Sequence, residues 1–188
     1  MSENFKKSIQ KAKNYYKNFV DPVHDLSHTE RVAKNAILIA QHAGAKNLEL
    51  IKLAAYWHDV GRTQGLEIHE EPGALMAKED LISRGFDEET ANLVYEAIRF
   101  HKLSDNPLTI EGKIIRDADK LDFISLERWG KGLKAEQYDH LLAMLSRLEA
   151  FPRALKLSYS KELYRERLPK FMKYYSSIKN QLPSTKNH

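Results

Sequence analysis

The sequence of 188 residues contains no cysteine. This absence excludes disulfide bonds, thiolate metal sites and cysteine nucleophiles, and it fits a reducing cytoplasm. The sequence also has no apolar run near the roughly 18 residues that a membrane span needs, and its first residues, MSENFKKSIQK, lack the apolar core of a secretion signal. We therefore expect a soluble, cytoplasmic protein that makes no contact with a membrane.

Alternating and β-branched runs are scarce as well, which argues against a β-sheet. Apolar residues instead recur at a spacing typical of helices from end to end, and the first stripe contains Phe5, Ile9, Ala12, Tyr16 and Phe19. No internal repeat, low-complexity tract or linker interrupts the pattern. Because a chain of this length can bury a substantial core, we predict one compact all-α domain.

Capping and breaking residues predict where the helices begin and end. Ser27 and Glu30 form a capping box that places His28 in the first turn of a helix closed by Gly44. A third helix is predicted from about residue 47 to Gly61, with the pair at 58–59 in its last turn. Further helices are predicted over about 72–84, 87–101, 109–126, 135–150 and 160–181, and Pro169 either kinks the last one or begins another.

The formal charge of +4 is unevenly distributed. Residues 1–99 contain 13 Lys and Arg against 15 Asp and Glu, whereas residues 100–188 contain 17 against 11. The basic half could attract a phosphorylated ligand, but its charges are scattered and form no stripe interleaved with aromatic residues. We therefore interpret it as a solvated surface and expect no nucleic-acid partner.

Three places in the sequence hold side chains that commonly bind metal ions: His28, the pair His58 and Asp59, and the pair Asp117 and Asp119. Adjacent helical residues point about 100° apart, so an ion bound by both His58 and Asp59 must lie beside the end of their helix. Further ligands would have to come from other helices. Imidazole and carboxylate ligands suit Mn, Fe, Co, Ni or Zn, and a site with few protein ligands leaves positions for water and substrate.

The phrases HDLSHTERV, LAAYWHDVGR and IRDADKLD resemble the small stand-alone members of the HD superfamily of metal-dependent phosphohydrolases. The resemblance implies an all-α HD-type fold in which His28, His58, Asp59 and Asp119 bind a divalent ion. Asp119 takes the last role because the family's phrasing is A-D-K/R-L, and Asp117 remains a weaker candidate.

The resemblance covers about residues 20–130, which we expect to carry the metal site. The predicted helices over about 131–182 would pack on this region, and they resemble the family only loosely. The metal is expected to be divalent, with Mn, Co, Ni, Fe, Mg and Zn all open. Whether the chain forms a homodimer is open as well.

Two more histidines could extend the site. In the family, members with two ions use additional histidines at places comparable to His69 and His101, so a second ion at these residues is one alternative. The other alternative is that His69 is a loop residue and His101 only interacts with a helix dipole. His24 and Asp25 could orient His28, although turn chemistry after Pro22 explains Asp25 almost as well. The remaining histidines of predicted helices, at positions 42 and 140, are expected on the surface or in the core, away from the site.

The predicted activity is hydrolysis of a phosphate ester or anhydride, with nucleotides favoured as substrates by the resemblance. Asp59 would bind the ion and orient the attacking water, while His101 or Lys120 would protonate or neutralise the leaving oxygen. Arg62 and Lys120 are the favoured phosphate-binding residues. Weaker candidates for that role are Arg116, Lys131 and Lys134. Two other hypotheses remain: a di-iron oxygenase of the HD type, and a non-catalytic helical module that binds a metal ion or a nucleotide.

Overall fold

A computed structural model describes residues 2–66 and 68–183 of the chain. Within these ranges the secondary structure is entirely helical, as predicted. The α-helices are α1 Glu3–Tyr15, α2 Leu26–His42, α3 Leu48–Trp57, α4 Glu70–Ser83, α5 Glu88–Arg99, α6 Ile110–Leu121, α7 Leu126–Lys134, α8 Tyr138–Leu145, α9 Phe151–Ala154 and α10 Ser158–Ile178. Short 3₁₀ helices span Val60–Gln64, Asp122–Ile124 and Lys179–Gln181. In the part of the chain so described, no helix is long and apolar enough to cross a bilayer.

Helix α3 lies at the centre of the molecule, in contact with α1, α2, α5 and α6. It is apolar on nearly all sides, which is typical of a helix surrounded by others. Its N-cap is Asn47, whose side chain accepts a hydrogen bond from the backbone N–H of Leu50. Because other helices enclose α3, His58 and Asp59 at its C-terminal end lie in the interior of the molecule.

Helix α2 begins two residues earlier than predicted. Its N-cap is Asp25, whose carboxylate accepts from the backbone N–H of His28 at 3.0 Å, so the predicted Ser27 cap is wrong. Ser27 instead donates its hydroxyl to Asp25 at 2.6 Å, and Glu30 forms an ion pair with Lys13 at 3.1 Å. The extended backbone of Asp25 brings its carboxylate over the first turn. His28 nevertheless lies in that turn, as expected.

The end of α3 also differs from the prediction. The helix stops at Trp57, His58 is its C-cap, and Asp59 lies in a turn before a 3₁₀ helix, so Gly61 does not terminate α3. Gly61 serves a different purpose, because a Cβ built there would lie 2.1 Å from the carbonyl oxygen of His69. The absence of a side chain therefore lets the start of α4 approach the turn that contains Asp59.

The segment after α6 departs most from the prediction. The helix expected over about 109–126 ends at Leu121, and α7 begins after Ser125, whose hydroxyl accepts from the backbone N–H of Arg128 at 3.4 Å. Helix α7 was missed as a separate element, α8 is shorter than predicted, and Pro169 lies inside a continuous α10. Residues 184–188 of the tail, which was expected to fray, lie outside the described residues.

Two side chains of α6 attach the C-terminal region to the rest of the molecule. The carboxylate of Asp117 accepts from the backbone N–H groups of Lys156 and Leu157, at 2.9 Å in its shortest contact with each. The guanidinium of Arg116 donates to the carbonyl oxygens of Leu103 at 2.6 Å and Ala154 at 2.8 Å. The stretch that leads into α10 is therefore held against α6 by hydrogen bonds to buried charged groups.

Candidate metal centre

The first group of ligand-type side chains joins α2 to the end of α3. His28 Nε2 lies 3.2 Å from His58 Nε2 and 3.6 Å from Asp59 Oδ2, and all three side chains are buried. One ligand atom from each of them lies within 4.8 Å of the others. The structure thus brings together three residues that the sequence analysis treated as ligands of a common ion.

Hydrogen bonds made by the Nδ1 atoms of His28 and His58 orient both imidazole rings. His28 Nδ1 donates to Asp122 Oδ2 at 2.7 Å, and His58 Nδ1 donates to the carbonyl oxygen of Ala55 at 2.8 Å. The Nδ1 protons direct both Nε2 lone pairs toward each other, so a proton or a cation must lie between them. Burial lowers the pKa of His58 to about 4, which keeps that imidazole neutral at pH 7 and able to bind a metal.

Asp119 of α6 completes the group. Its Oδ1 lies 3.5 Å from His28 Nε2, and its other oxygen accepts from Lys120 at 2.5 Å. Burial alone would raise the pKa of Asp119, but the positive charge of Lys120 and the adjacent imidazoles hold it far below its ordinary value. The Asp119 carboxylate is therefore negatively charged, which suits a carboxylate that binds a cation.

A second group of ligand-type side chains lies near Oδ1, the other carboxylate oxygen of Asp59. Asp59 Oδ1 is 3.0 Å from His69 Nε2 and 3.5 Å from His101 Nε2, and both histidines are buried. His101 donates its Nδ1 proton to the carbonyl oxygen of Ile98, which leaves Nε2 free for a ligand. Asp59 thus faces two imidazoles on each side.

Several polar atoms of this second group have no hydrogen-bond partner. They include both ring nitrogens of His69 and Asp59 Oδ1, which are inaccessible to solvent, although Asp59 Oδ1 also forms an ion pair with Arg62 Nε at 3.0 Å. Leaving a buried polar atom unpaired costs about 1–3 kcal/mol. A cation beside Asp59 Oδ1 would satisfy one ring nitrogen of His69, so the donor set fits a metal ion.

A cavity of about 610 Å³ opens beside Asp59. Its lining includes Asp59 and Asp119 as well as five basic side chains, from Arg62, Lys102, Lys120, Arg128 and Arg147. The predicted phosphate-binding residues Arg62 and Lys120 are therefore both present. The geometry combines carboxylates and imidazoles for a cation with positive groups for an anion.

The weaker sequence candidates have other roles in the structure. Asp117 accepts from the backbone of the C-terminal region, so it is not a ligand of the groups described above. Arg116 donates to backbone carbonyl groups, and Lys131 donates to Asp25 at 2.6 Å. Lys134 is exposed in the last turn of α7. These cations are thus occupied by structural contacts or turned to solvent.

His140 and Arg128 line the cavity and contact His24, but neither was assigned to the site from the sequence. His140 lines the cavity, contrary to its expected place away from the site, together with His24 and Arg128. Arg128 Nη2 lies 2.9 Å from His24 Nε2 and 3.4 Å from His140 Nε2. Burial lowers the pKa of His24 to about 3 and that of His140 to about 4, so both are neutral at pH 7. No local sequence signal links these residues.

The family model for the HD domain matches residues 25–124, which is more than half of the chain. The chain belongs to the HD domain family. Its relatives include the uncharacterized protein YpgQ of Bacillus subtilis, which is 28% identical over 184 residues and matched over 85% of each chain.

Solved structures of HD-domain proteins share the fold. A predicted HD superfamily hydrolase from an uncultured Thermotogales bacterium aligns with a TM-score of 0.71 at 27% identity, over 94% of this chain and 91% of its own. A structure of B. subtilis YpgQ in complex with ADP aligns with a TM-score of 0.71 at 24% identity, over 98% of each chain. Membership of the HD family and the His and Asp groups together support a metal-dependent hydrolase.

Proposed function

We propose that this HD-domain protein is a phosphohydrolase that uses water to cleave a phosphoester or phosphoanhydride bond of a nucleotide. The observation that carries the proposal is the position of Asp59, which lies between two pairs of imidazoles and lines a cavity with five basic side chains. A cation site alone would fit many functions. A cation site beside several positive groups fits a substrate that brings its own negative charge.

In this proposal His28, His58, Asp59 and Asp119 bind one divalent ion. His69 and His101, with the second oxygen of Asp59, would bind another; the proposal is supported by the mutual proximity of their ligand atoms. A bound divalent ion lowers the pKa of water and acts as a Lewis acid toward a phosphoryl oxygen. The identity of the ion, among Mn, Co, Ni, Fe, Mg and Zn, is left to experiment.

The protein's own groups would position the reactants. Burial would raise the pKa of Asp59, but the charge of Arg62 and the adjacent imidazoles hold it well below its ordinary range. Asp59 therefore stays ionised and orients the attacking water. The water oxygen bonds to phosphorus as the bond to the leaving oxygen breaks, and Lys120 supplies the proton that the leaving oxygen takes up. His101 would take this role only in a protein with one ion, where its Nε2 binds no metal. The proton that the water loses passes to solvent.

The charge of the cavity, its volume and the ligand of a structural neighbour support a nucleotide as the substrate. Arg62 and Lys120 reach the cavity and would neutralise phosphate oxygens. A cavity of about 610 Å³ is large enough for a small-molecule ligand. The structural neighbour YpgQ has been crystallised with ADP.

An assay of purified, metal-stripped protein tests this function. Nucleoside mono-, di- and triphosphates are supplied with Mn²⁺, Co²⁺, Ni²⁺, Mg²⁺, Fe²⁺ or Zn²⁺, and released phosphate and pyrophosphate are measured. We expect metal-dependent release that Asp59→Asn abolishes. The exposed Asp139 provides the matched control, Asp139→Asn, which should retain full activity. Release with no metal, or none with any metal and nucleotide, would contradict the proposal.

The two groups that share Asp59 also support a second candidate, a di-iron oxygenase. This enzyme would use both groups at once and consume dioxygen. Protein expressed with iron and purified without oxygen would then contain two tightly bound irons per chain. Oxygen uptake upon addition of an organic substrate would favour this candidate, and iron content below one per chain would exclude it.

A further inference from the structure

Arg128 of α7 is a buried cation that the hydrolytic mechanism does not use. Its side chain lines the cavity although the residue is only 1% exposed. Its guanidinium contacts His24, His140 and His28 rather than a carboxylate of its own, and its Nε has no hydrogen-bond partner. A guanidinium remains protonated under all ordinary conditions, so this charge must be compensated in another way.

The nearest carboxylate neutralises Arg128 only in part. Asp122 Oδ2 lies 3.6 Å from Arg128 Nη1, a long ion pair outside hydrogen-bonding distance. Asp122 bonds more closely to Arg31, at 2.7 and 3.0 Å, and accepts from His28, while Arg31 also pairs with Glu127 at 2.9 Å. Among the described residues, no carboxylate therefore accepts a hydrogen bond from Arg128. Because a buried charge is best stabilised by hydrogen-bonded partners of opposite charge, this arrangement favours an anionic ligand in the cavity.

The two outer histidines contact Arg128. His24 Nδ1 donates to Asp21 at 2.8 Å, so His24 Nε2 accepts from Arg128. His140 Nε2 also faces the guanidinium, which leaves the single N–H of its neutral ring on Nδ1. The arrangement holds Arg128 in place through His24, and His140 lines the same cavity beside the guanidinium.

Arg128, His140 and His24 lie outside the part of the chain that the HD family model matches. The HD family model ends at residue 124, so Arg128 and His140 come from helices beyond the matched region, and His24 immediately precedes it. Arg147, which is exposed, extends the positive lining in the same direction. The same cavity contains Asp59 at the candidate metal centre. An anion at Arg128 would therefore share one cavity with a phosphate at that centre.

We propose that Arg128 and His140, with His24 orienting Arg128, form a subsite for a second phosphate group of the substrate. The preferred substrates would then contain at least two linked phosphates and be cleaved at a phosphoanhydride, rather than being phosphate monoesters. This inference rests on the proposed function, since it assigns the first phosphate to the metal centre.

Binding of inorganic anions tests the subsite without requiring turnover. Pyrophosphate and orthophosphate are titrated into the full-length protein by calorimetry, with and without Mn²⁺. Wild-type protein should bind pyrophosphate at least about tenfold more tightly than orthophosphate. Arg128→Met should remove most of this difference, and His140→Gln should reduce pyrophosphate affinity severalfold while leaving orthophosphate affinity nearly unchanged.

Matched controls separate binding from folding. Lys134→Met removes an exposed cation from the same helix, and His42→Gln removes an exposed histidine that stacks on Tyr159, so both should bind pyrophosphate like the wild type. Thermal melting and metal content show whether each variant is intact. If Arg128→Met unfolds, Arg128→Lys keeps the charge but loses the planar donor pair, and it should still weaken pyrophosphate binding.

The outcomes distinguish this subsite from the hydrolase itself. Equal affinity for the two anions in the wild type, or unchanged pyrophosphate affinity in folded Arg128 and His140 variants, would overturn the subsite. An equal loss for both anions would show that Arg128 only maintains the structure, which also overturns it. Arg128-dependent pyrophosphate binding in a protein that hydrolyses no nucleotide would contradict the hydrolase but retain the subsite.

Discussion

At the scale of single residues, the arrangement of the candidate metal centre depends on how each histidine is oriented. Asp122 accepts from His28 Nδ1 and fixes which nitrogen faces the centre, and it is itself held by Arg31. Such outer carboxylates raise the basicity of the imidazole and restrict its rotation. Asp122 was not selected from the sequence, because its phrase K-L-D shows no sign of a partner 94 positions away.

Asp122→Asn tests this orienting role. The amide is a weaker acceptor for His28 and leaves Arg31 with only its ion pair to Glu127, so Mn²⁺ affinity should fall about 10- to 100-fold. Calorimetric titration of metal-free protein with Mn²⁺ provides the measurement, and Asp139→Asn provides an exposed control. A folded Asp122→Asn protein with wild-type Mn²⁺ affinity would show that His28 needs no such partner.

The side chains of the candidate metal centre could be selected from the sequence, whereas their neighbours could not. His28, His58, Asp59 and Asp119 stand in short phrases whose local pattern suffices to suggest the centre, and the structure brings these four together. The contact of Arg128 with His24 joins residues 104 positions apart. Contacts of that kind depend on how α7 packs, which no local pattern encodes.

At the scale of elements, the close approach of the turn after α3 to the start of α4 positions Asp59 beside His69. This approach depends on Gly61, which has no side chain to separate the two segments. The sequence suggested a helix stop at Gly61 because glycine commonly follows helices. The distinction between a helix stop and a close backbone approach requires the position of α4, so it could not be drawn from the sequence.

Gly61→Ala should therefore be strongly destabilising. The new Cβ would lie 2.1 Å from a backbone oxygen that cannot move aside without shifting α4, so we expect a loss of several kcal/mol in the free energy of unfolding. Gly130→Ala is the matched control, since its Cβ would meet only Tyr174 Oη at 3.5 Å. In the helix interior that substitution should be neutral or stabilising by about 0.5–1 kcal/mol. Urea unfolding of both variants gives the comparison, and equal stabilities would refute the close-approach explanation.

The helix starts that were predicted correctly depend on local contacts, and the break that was missed depends on tertiary packing. Residues 47, 87 and 109 were predicted near helix starts and are N-caps in the structure, because capping is a contact between near neighbours. The break between α6 and α7 was missed because apolar residues continue with helical spacing across it. Asp122, at the break, is buried by its contacts with α2, and only the packed structure shows that constraint.

At the scale of the whole molecule, buried charges connect distant parts of the chain. Asp80 of α4 accepts from Arg84 at 2.8 Å and forms an ion pair with Lys11 of α1 at 3.0 Å. Burial would raise the pKa of Asp80, but Arg84, Ser8 and Lys11 together lower it below the ordinary value of 3.8. The folded state therefore favours the ionised carboxylate.

This shift predicts a pH dependence of stability. Because the pKa of Asp80 is lower in the folded chain than in the unfolded chain, its contribution is complete above about pH 4–5 and disappears as the pH falls through the folded value. At pH 7, Asp80→Asn should reduce the free energy of unfolding by about 1–3 kcal/mol. The difference from wild type should shrink below pH 4 in urea titrations, and a constant difference from pH 7 to pH 3 would contradict this account.

The whole-molecule account is that α2, the end of α3, α4, α5 and α6 bring separate imidazoles and carboxylates to one place to hold a metal ion. The most direct measurement is anomalous diffraction at the manganese edge from a crystal grown with Mn²⁺. We predict a peak in contact with His28 Nε2, His58 Nε2 and oxygens of Asp59 and Asp119. A manganese peak elsewhere, with none at these four side chains, would contradict the account.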